Sequence, residues 1–360
     1  MSIVVFLALI VFLIIGHELG HLLAAKRAGM SVPEFGIGFP PKLWSTVIGR
    51  TEYSVNAFLF GGFVRIEGED GDATHPSAFR QKSKLAQAGV IVAGPAANIV
   101  IAFIAFWIAF MVGIPTPESE APPHGVTNPA IVVTAVLPGS PAALAGVRAG
   151  DTLQSVTQGG FTVPLERPTD LSDAVMRGAP IELTGVRDGM PYTYALTPET
   201  GIVQDEPELP AIGVMTVRLG LVAYDPLTAL VRAAEATLSS MGAIVVGFGS
   251  LVYGAFVGSA SLESVAGPVG IASMTGTALQ FGVGQVLAFM ALISLNLGIL
   301  NLLPFPALDG GRLAVIGYEA ARGREVRTET AQLLNALGFS ILIVLMVVVT
   351  WNDILRVLGS

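Results

Sequence analysis

Four apolar runs dominate the pattern of hydrophobic and polar positions: Ile3 to about Ala25, about Val90 to Ile114, about Val286 to Leu303 and about Leu337 to Trp351. A helix needs about 20 apolar residues to cross the hydrocarbon core, so each run is predicted to span a bilayer. A fifth stretch, Ala229 to Val257, is rich in Gly and Ser and begins amphipathically with Arg232 and Glu235. It reads as an interfacial or partly inserted helix. Between the second run and this stretch the period changes. Pro115–Pro123 is a Pro- and Glu-rich linker, after which Ala130–Val136, Ile181–Val186 and Tyr192–Leu196 read as strands and Leu171–Arg177 as a short helix. A small β-rich domain over 126–200 is expected. Thr51–Ile66 alternates in part around a Gly61-Gly62 break and reads as a hairpin. Open strand edges do not face lipid, so its pattern alone favours a cytoplasmic hairpin.

Composition agrees with a polytopic α-helical membrane protein. The chain has 360 residues, of which 52% are hydrophobic and 13% charged, about half the 25% charge of soluble domains. It has no cysteine, which excludes disulfides, thiol nucleophiles and cysteine-ligated metal sites. The net charge of −8 lies in one block: residues 115–225 hold 13 acids and 5 arginines, and the remainder holds 14 of each sign. No basic patch of the kind nucleic acid requires is present. Residues 26–84 carry eight Lys or Arg, and residues 304–335 carry Arg312, Arg322, Arg324 and Arg327. Positive-inside counting puts both segments in the cytoplasm, with the termini and the acidic domain outside. The first run reads poorly as a signal peptide, because no Lys or Arg precedes it and His17, Glu18 and His21 lie within it.

Those three residues form His17-Glu18-Leu19-Gly20-His21. Positions i and i+4 share one helix face, so both imidazoles can reach one zinc ion, with Glu18 near enough to act as a base. Ionisable residues inside an apolar run are costly and point to function. A catalytic zinc usually takes a third protein ligand. His75 and His124 are candidates by residue type only, and both fall in polar segments. Asp309 is the better one. By itself it suits the N-cap of a helix over 310–321. However, Pro304 and Pro306 interrupt the third run beside it, and irregular backbone at membrane depth is tolerated only where it is buried or lines a watery cavity.

With these motifs in order along residues 16–312, the chain resembles the site-2 protease family of intramembrane zinc metalloproteases, in its bacterial RseP/RasP-like branch. The matching pieces are Gly16-His17-Glu18-Leu19-Gly20-His21, Phe35-Gly36-Ile37-Gly38-Phe39, Gly61-Gly62-Phe63-Val64, Gly94-Pro95-Ala96-Ala97-Asn98, Gly267-Pro268-Val269-Gly270-Ile271 and Asn301-x-x-Pro304-x-Pro306-x-x-Asp309-Gly310. The resemblance implies a PDZ domain at 126–200, carried by Gly139-Ser140-Pro141-Ala142 and Gly150-Asp151-Thr152-Leu153. One PDZ-sized segment is present, where the RseP type proper carries two. It further implies that the hairpin with Gly61 and Gly62 enters the membrane face, and that Asn301, Pro304, Pro306, Gly61 and Gly62 bind substrate. The expected organisation is a membrane domain over 1–114, a linker over 115–125, the PDZ domain, a connector with an amphipathic helix over 201–258, and a second membrane domain over 259–360.

The expected activity is zinc-dependent endoproteolysis, with one Zn2+ per chain on His17, His21 and Asp309, and Glu18 as base. The resemblance implies substrates that are single-pass proteins of the bacterial cytoplasmic membrane, an anti-sigma factor or a remnant signal peptide, already trimmed by an upstream site-1 protease. Two other classes compete. An ion transporter would use the intramembrane His and Asp as a path, but inverted repeats and paired broken helices are missing from the sequence. A non-catalytic PDZ-bearing membrane chaperone would have no use for Glu18.

Overall fold

The computed structural model describes residues 2–69, 75–120, 122, 125–187, 189–203, 206–258 and 266–358; His124 lies outside them. Two compact units divide the chain. Unit 1 comprises Met1–Trp107, Leu230–Ser273 and Ala288–Ile354, and unit 2 comprises Ile108–Ala229, Met274–Leu287 and Leu355–Ser360.

Unit 1 begins with α1 (Ser2–Arg27), which ends on Lys26 and Arg27. It continues through strands β1 (Glu34–Ile48) and β2 (Thr51–Arg65) into α2 (Lys84–Val112). The helices α1 and α2 touch through small residues. A β-carbon at Gly16 would collide with Ile101, and one at Gly20 with the Ala93 carbonyl. Lipid offers no hydrophobic drive for helix pairing, so close backbone approach of this kind supplies the dispersion contact. The β1–β2 hairpin turns at Gly49-Arg50, and Gly61-Gly62 sits within β2 rather than at its turn. The register places Glu34–Ile37 beside both Glu52–Val55 and Gly62–Arg65. The buried Glu34 carboxylate holds this fold-back by accepting from Ser54 Oγ at 3.1 Å and pairing with Lys42 Nζ at 3.0 Å.

Unit 2 holds a seven-stranded sheet. Its strands are β3 (Ile114–Pro117), β4 (Thr127–Val136), β5 (Thr152–Gln158), β6 (Phe161–Pro164), β7 (Ile181–Arg187), β8 (Met190–Leu196) and β9 (Val214–Val222), with short helices α3 (Pro141–Leu144) and α4 (Pro168–Val175) between them. The order is β3-β9-β4-β5-β7-β8, with β6 on β5. Ile131, Val133, Leu153, Val156, Leu171, Ile181 and Leu183 fill its core. Asp151 is fully buried there, and burial of a lone carboxylate is costly. Arg187 offsets that cost with two parallel bonds of 2.6 Å, and the Arg148 amide donates a third at 2.9 Å.

The remaining helices are α5 (Pro226–Val257), α6 (Pro268–Gln280), α7 (Val283–Leu302), α8 (Asp309–Arg322) and α9 (Thr328–Leu358). By length and composition, five helices rather than four are able to cross a membrane: α1, α2, α7, α9 and the Pro226–Gly254 part of α5. The difference lies in α5. Its two charges, Arg232 and Glu235, stand one turn apart and pair at 3.1 Å, so they interrupt the apolar surface less than their charges imply. Within unit 1, α9 supports the Pro304–Asp309 loop. A β-carbon at Gly338 would collide with the Pro306 carbonyl, and Asn335 Oδ1 accepts from the amide of Ala307, which sits at φ 75°.

Candidate active site

On α1, His17 and His21 lie one turn apart and face α2; both are buried. His17 Nε2 and His21 Nε2 are 3.1 Å apart. Asp309 Oδ2 reaches the same point from the first turn of α8, 3.1 Å from His17 Nε2 and 3.3 Å from His21 Nε2. The helix is capped at Leu308 without a side-chain bond, so Asp309 is not the N-cap; its carboxylate is free to point at the imidazoles. Among the described residues these three are the one group of His, Asp and Glu spaced to hold a metal.

The geometry fits zinc. Ligand atoms about 2.0–2.1 Å from a tetrahedral ion stand roughly 3.3 Å from each other, close to the spacing found. Asp309 Oδ2 is buried and lacks a properly directed hydrogen bond from either ring, as expected of atoms aimed at a shared centre rather than at one another. His21 Nδ1 donates to the Val90 carbonyl at 2.8 Å, which leaves the Nε2 lone pair free to ligate.

A cleft of about 280 Å³ opens on this cluster, lined by Ile14, His17, Glu18, Gly61, Gly62, Asn98, Leu297, Asn301 and the Ala307–Asp309 turn. Thus Glu18, Gly61, Gly62 and Asn301 line one cleft with His17 and Asp309, and His21 Nε2 reaches these two ligand atoms from beside it. Gly62 is needed for the approach of β2, since its α-carbon side faces Glu18 Cγ. Pro304 and Pro306 do not join them. They line a separate cavity of about 260 Å³ together with Phe79, Gln87 and residues of α8 and α9, and Pro306 is packed against Gly338. His75 bonds Ser77 at 2.7 Å and stands apart from the cluster.

Sequence reasoning gave Val90 no role at the site and Gly94 only a place in a family motif. A β-carbon at Gly94 would drive into the His21 imidazole. The signal was present in the Gly94-Pro95-x-x-Asn98 spacing, but only the packing of α1 on α2 gives it a meaning. We expect Gly94→Val to displace His21 and strip zinc from the purified protein while the chain still inserts in membranes. Elemental analysis showing a full zinc complement in Gly94→Val would disprove this packing.

Two imidazoles from an H-E-x-x-H helix, a carboxylate from a second element and a nearby glutamate are the donor set and base that a zinc hydrolase requires, and the two histidines and the glutamate stand on a helix long and apolar enough to cross a membrane. Comparison with known proteins agrees. The model of peptidase family M50 matches residues 5–345. The chain is 30% identical to the zinc metalloprotease RasP of Geobacillus kaustophilus, covering 98% of this chain and 96% of that one. It is 29% identical to the regulator of sigma-W protease RasP of Bacillus subtilis, over 99% and 98% of the two chains. It is 28% identical to the protease RseP of Yersinia pestis, over 99% and 98%. The chain belongs to peptidase family M50, the site-2 proteases, and is an integral-membrane zinc metalloprotease.

Proposed function

We propose that the chain cleaves transmembrane segments of single-pass proteins, with His17, His21 and Asp309 holding one zinc and Glu18 serving as general base. The observation that carries this reading is the meeting of the three ligand atoms at 3.1–3.3 Å, two of them, on His17 and Asp309, from residues lining the cleft that Glu18 also lines. Bound zinc supplies Lewis acidity to a water and to the scissile carbonyl. Glu18 takes the proton of the attacking water and passes it to the departing amide nitrogen. Asn301, which lines the same cleft, binds the peptide. Among the described residues the β1–β2 sheet has no third strand, so the stretch at Gly61-Gly62 offers an edge on which an unwound segment can pair. An α-helix hides its peptide bonds, so such unwinding has to precede cleavage.

Orientation follows from where the ligands meet. The C-terminal end of α1 and the loop after α7 reach one site, so both helices run in the same direction, outside to inside by the positive-inside count. The α2 helix returns outward, and the sheet of unit 2 is extracytoplasmic. An even number of crossings must then separate α2 from α7. α6, with 13 residues, rises about 20 Å and is too short to return through a core of about 30 Å. We therefore assign four crossings, with α5 lying on or dipping into the outer leaflet and both termini outside. Residues 126–200 act as a PDZ domain that admits substrates trimmed by an upstream site-1 protease. That the Bacillus subtilis relative is a regulator of sigma-W protease supports an anti-sigma factor as substrate; a remnant signal peptide has the same single-span form.

The test is reconstitution of the purified protein in zinc-containing proteoliposomes with a single-pass substrate, and mapping of the products by mass spectrometry. Cleavage within the apolar segment is expected. Cleavage confined to the soluble flanks would overturn the reading.

A further inference from the structure

Both zinc-facing imidazoles must present a bare Nε2, yet their Nδ1 atoms are held by different kinds of partner. A neutral imidazole carries one N–H and one lone pair. For His21 the choice is settled by the Val90 carbonyl, which only accepts. For His17 it rests on Asn98. That side chain is 1% exposed in the middle of α2, and its carboxamide lies 3.3 Å from His17 Nδ1. Its backbone carbonyl accepts from Ser294 Oγ of α7 at 2.8 Å, and its β-carbon abuts Gly298. The backbone of Asn98 is thus held between α1 and α7, with its carboxamide beside His17 at the cleft.

The two ends of the carboxamide are equal in shape and opposite in chemistry. With Nδ2 towards His17, Nδ1 must accept, the ring proton moves to Nε2, and that proton points at the metal position. In this orientation Oδ1 is also buried without a partner. With Oδ1 towards His17, Nδ1–H donates and Nε2 is bare, while Nδ2 takes the buried position that Oδ1 leaves. We propose that Asn98 is a positioning residue whose carboxamide oxygen accepts from His17 Nδ1–H and so holds His17 in the zinc-binding tautomer. The inference rests on the ligand set argued above. It gives the Asn of the Gly94-Pro95-x-x-Asn98 motif a task distinct from helix packing, and it makes a carboxamide on α2 the counterpart of the carboxylate or carbonyl that commonly orients a ligating histidine.

The experiment is chelator competition on purified full-length protein, comparing wild type with Asn98→Ala, Asn98→Asp and His17→Ala. Loss of an orienting partner weakens metal binding by about 10–100-fold, so Asn98→Ala should fall in that range. Asn98→Asp keeps an acceptor in place and should stay within about threefold of wild type, since a carboxylate is the usual partner of this kind. Wild-type affinity in Asn98→Ala would overturn the proposal, as would equal weakening by both Asn98 variants, which would mark a donor or packing role. Should Asn98→Ala not fold, Asn98→Ser, whose hydroxyl is too short to reach His17, is read in its place by the same criteria. Wild-type affinity in His17→Ala would instead refute the ligand set itself, so the two failures are told apart.

Discussion

Glu18→Gln is expected to leave the protein folded and zinc-loaded while cleavage of a transmembrane substrate falls by about 10²–10⁴-fold, the usual contribution of a positioned general base. The amide keeps the size and place of the side chain, which packs against Gly62 and lines the cleft. It cannot take a proton from water. Glu18 is also absent from the three converging ligand atoms, so zinc content should not change. Single-turnover cleavage in detergent, with elemental analysis of the same preparation, separates these outcomes. Cleavage at the wild-type rate would remove Glu18 from the chemistry; loss of zinc together with activity would make it a ligand.

Asp309→Ala should have an effect as large by a different route. Two imidazoles alone fall short of the three protein ligands of a catalytic zinc site. Zinc affinity is therefore expected to drop by more than the about 10–100-fold that follows loss of a ligand's hydrogen-bond partner, and activity should disappear with it. The α8 helix should survive. An acid in a first turn contributes only about 0.3–1 kcal/mol through the helix dipole, and the helix is held elsewhere by the Lys84–Glu319 pair at 2.7 Å and the Arg312–Glu69 pair. Asp309→Asn keeps the shape without the charge and should also lose zinc. Full zinc occupancy in both variants, measured after dialysis, would show that the third ligand lies elsewhere.

The ligands were legible because charge is conspicuous in an apolar run. His17, Glu18 and His21 stand inside α1, and Asp309 follows two prolines that end α7. Their meeting was less legible, since residues 288 apart in sequence are joined only by helix packing. The same limit hid much of the β structure. Ile114–Pro117 reads as the start of a linker until β9 pairs with it across a hundred residues. Pro40 and Pro41 argue against a strand, yet both lie in β1, which is the true partner of β2. Placing a turn at Gly61-Gly62 followed from the freedom of glycine in turns. In the structure these glycines serve close approach instead, to Phe39 and to Glu18. Asn98 was visible as a polar residue in an apolar helix; what it touches was not.

The central claim is that two imidazoles of α1 and one carboxylate of α8 share a single zinc. Zinc K-edge absorption fine structure of the purified full-length protein tests it most directly. We expect one zinc per chain, two imidazole nitrogens at about 2.0–2.1 Å, light-atom oxygen scattering at about 2.0–2.2 Å and no sulfur. The imidazole signal should be lost in His17→Ala together with the metal. A spectrum with one imidazole or none, or a wild-type spectrum that persists in His17→Ala, would contradict the site.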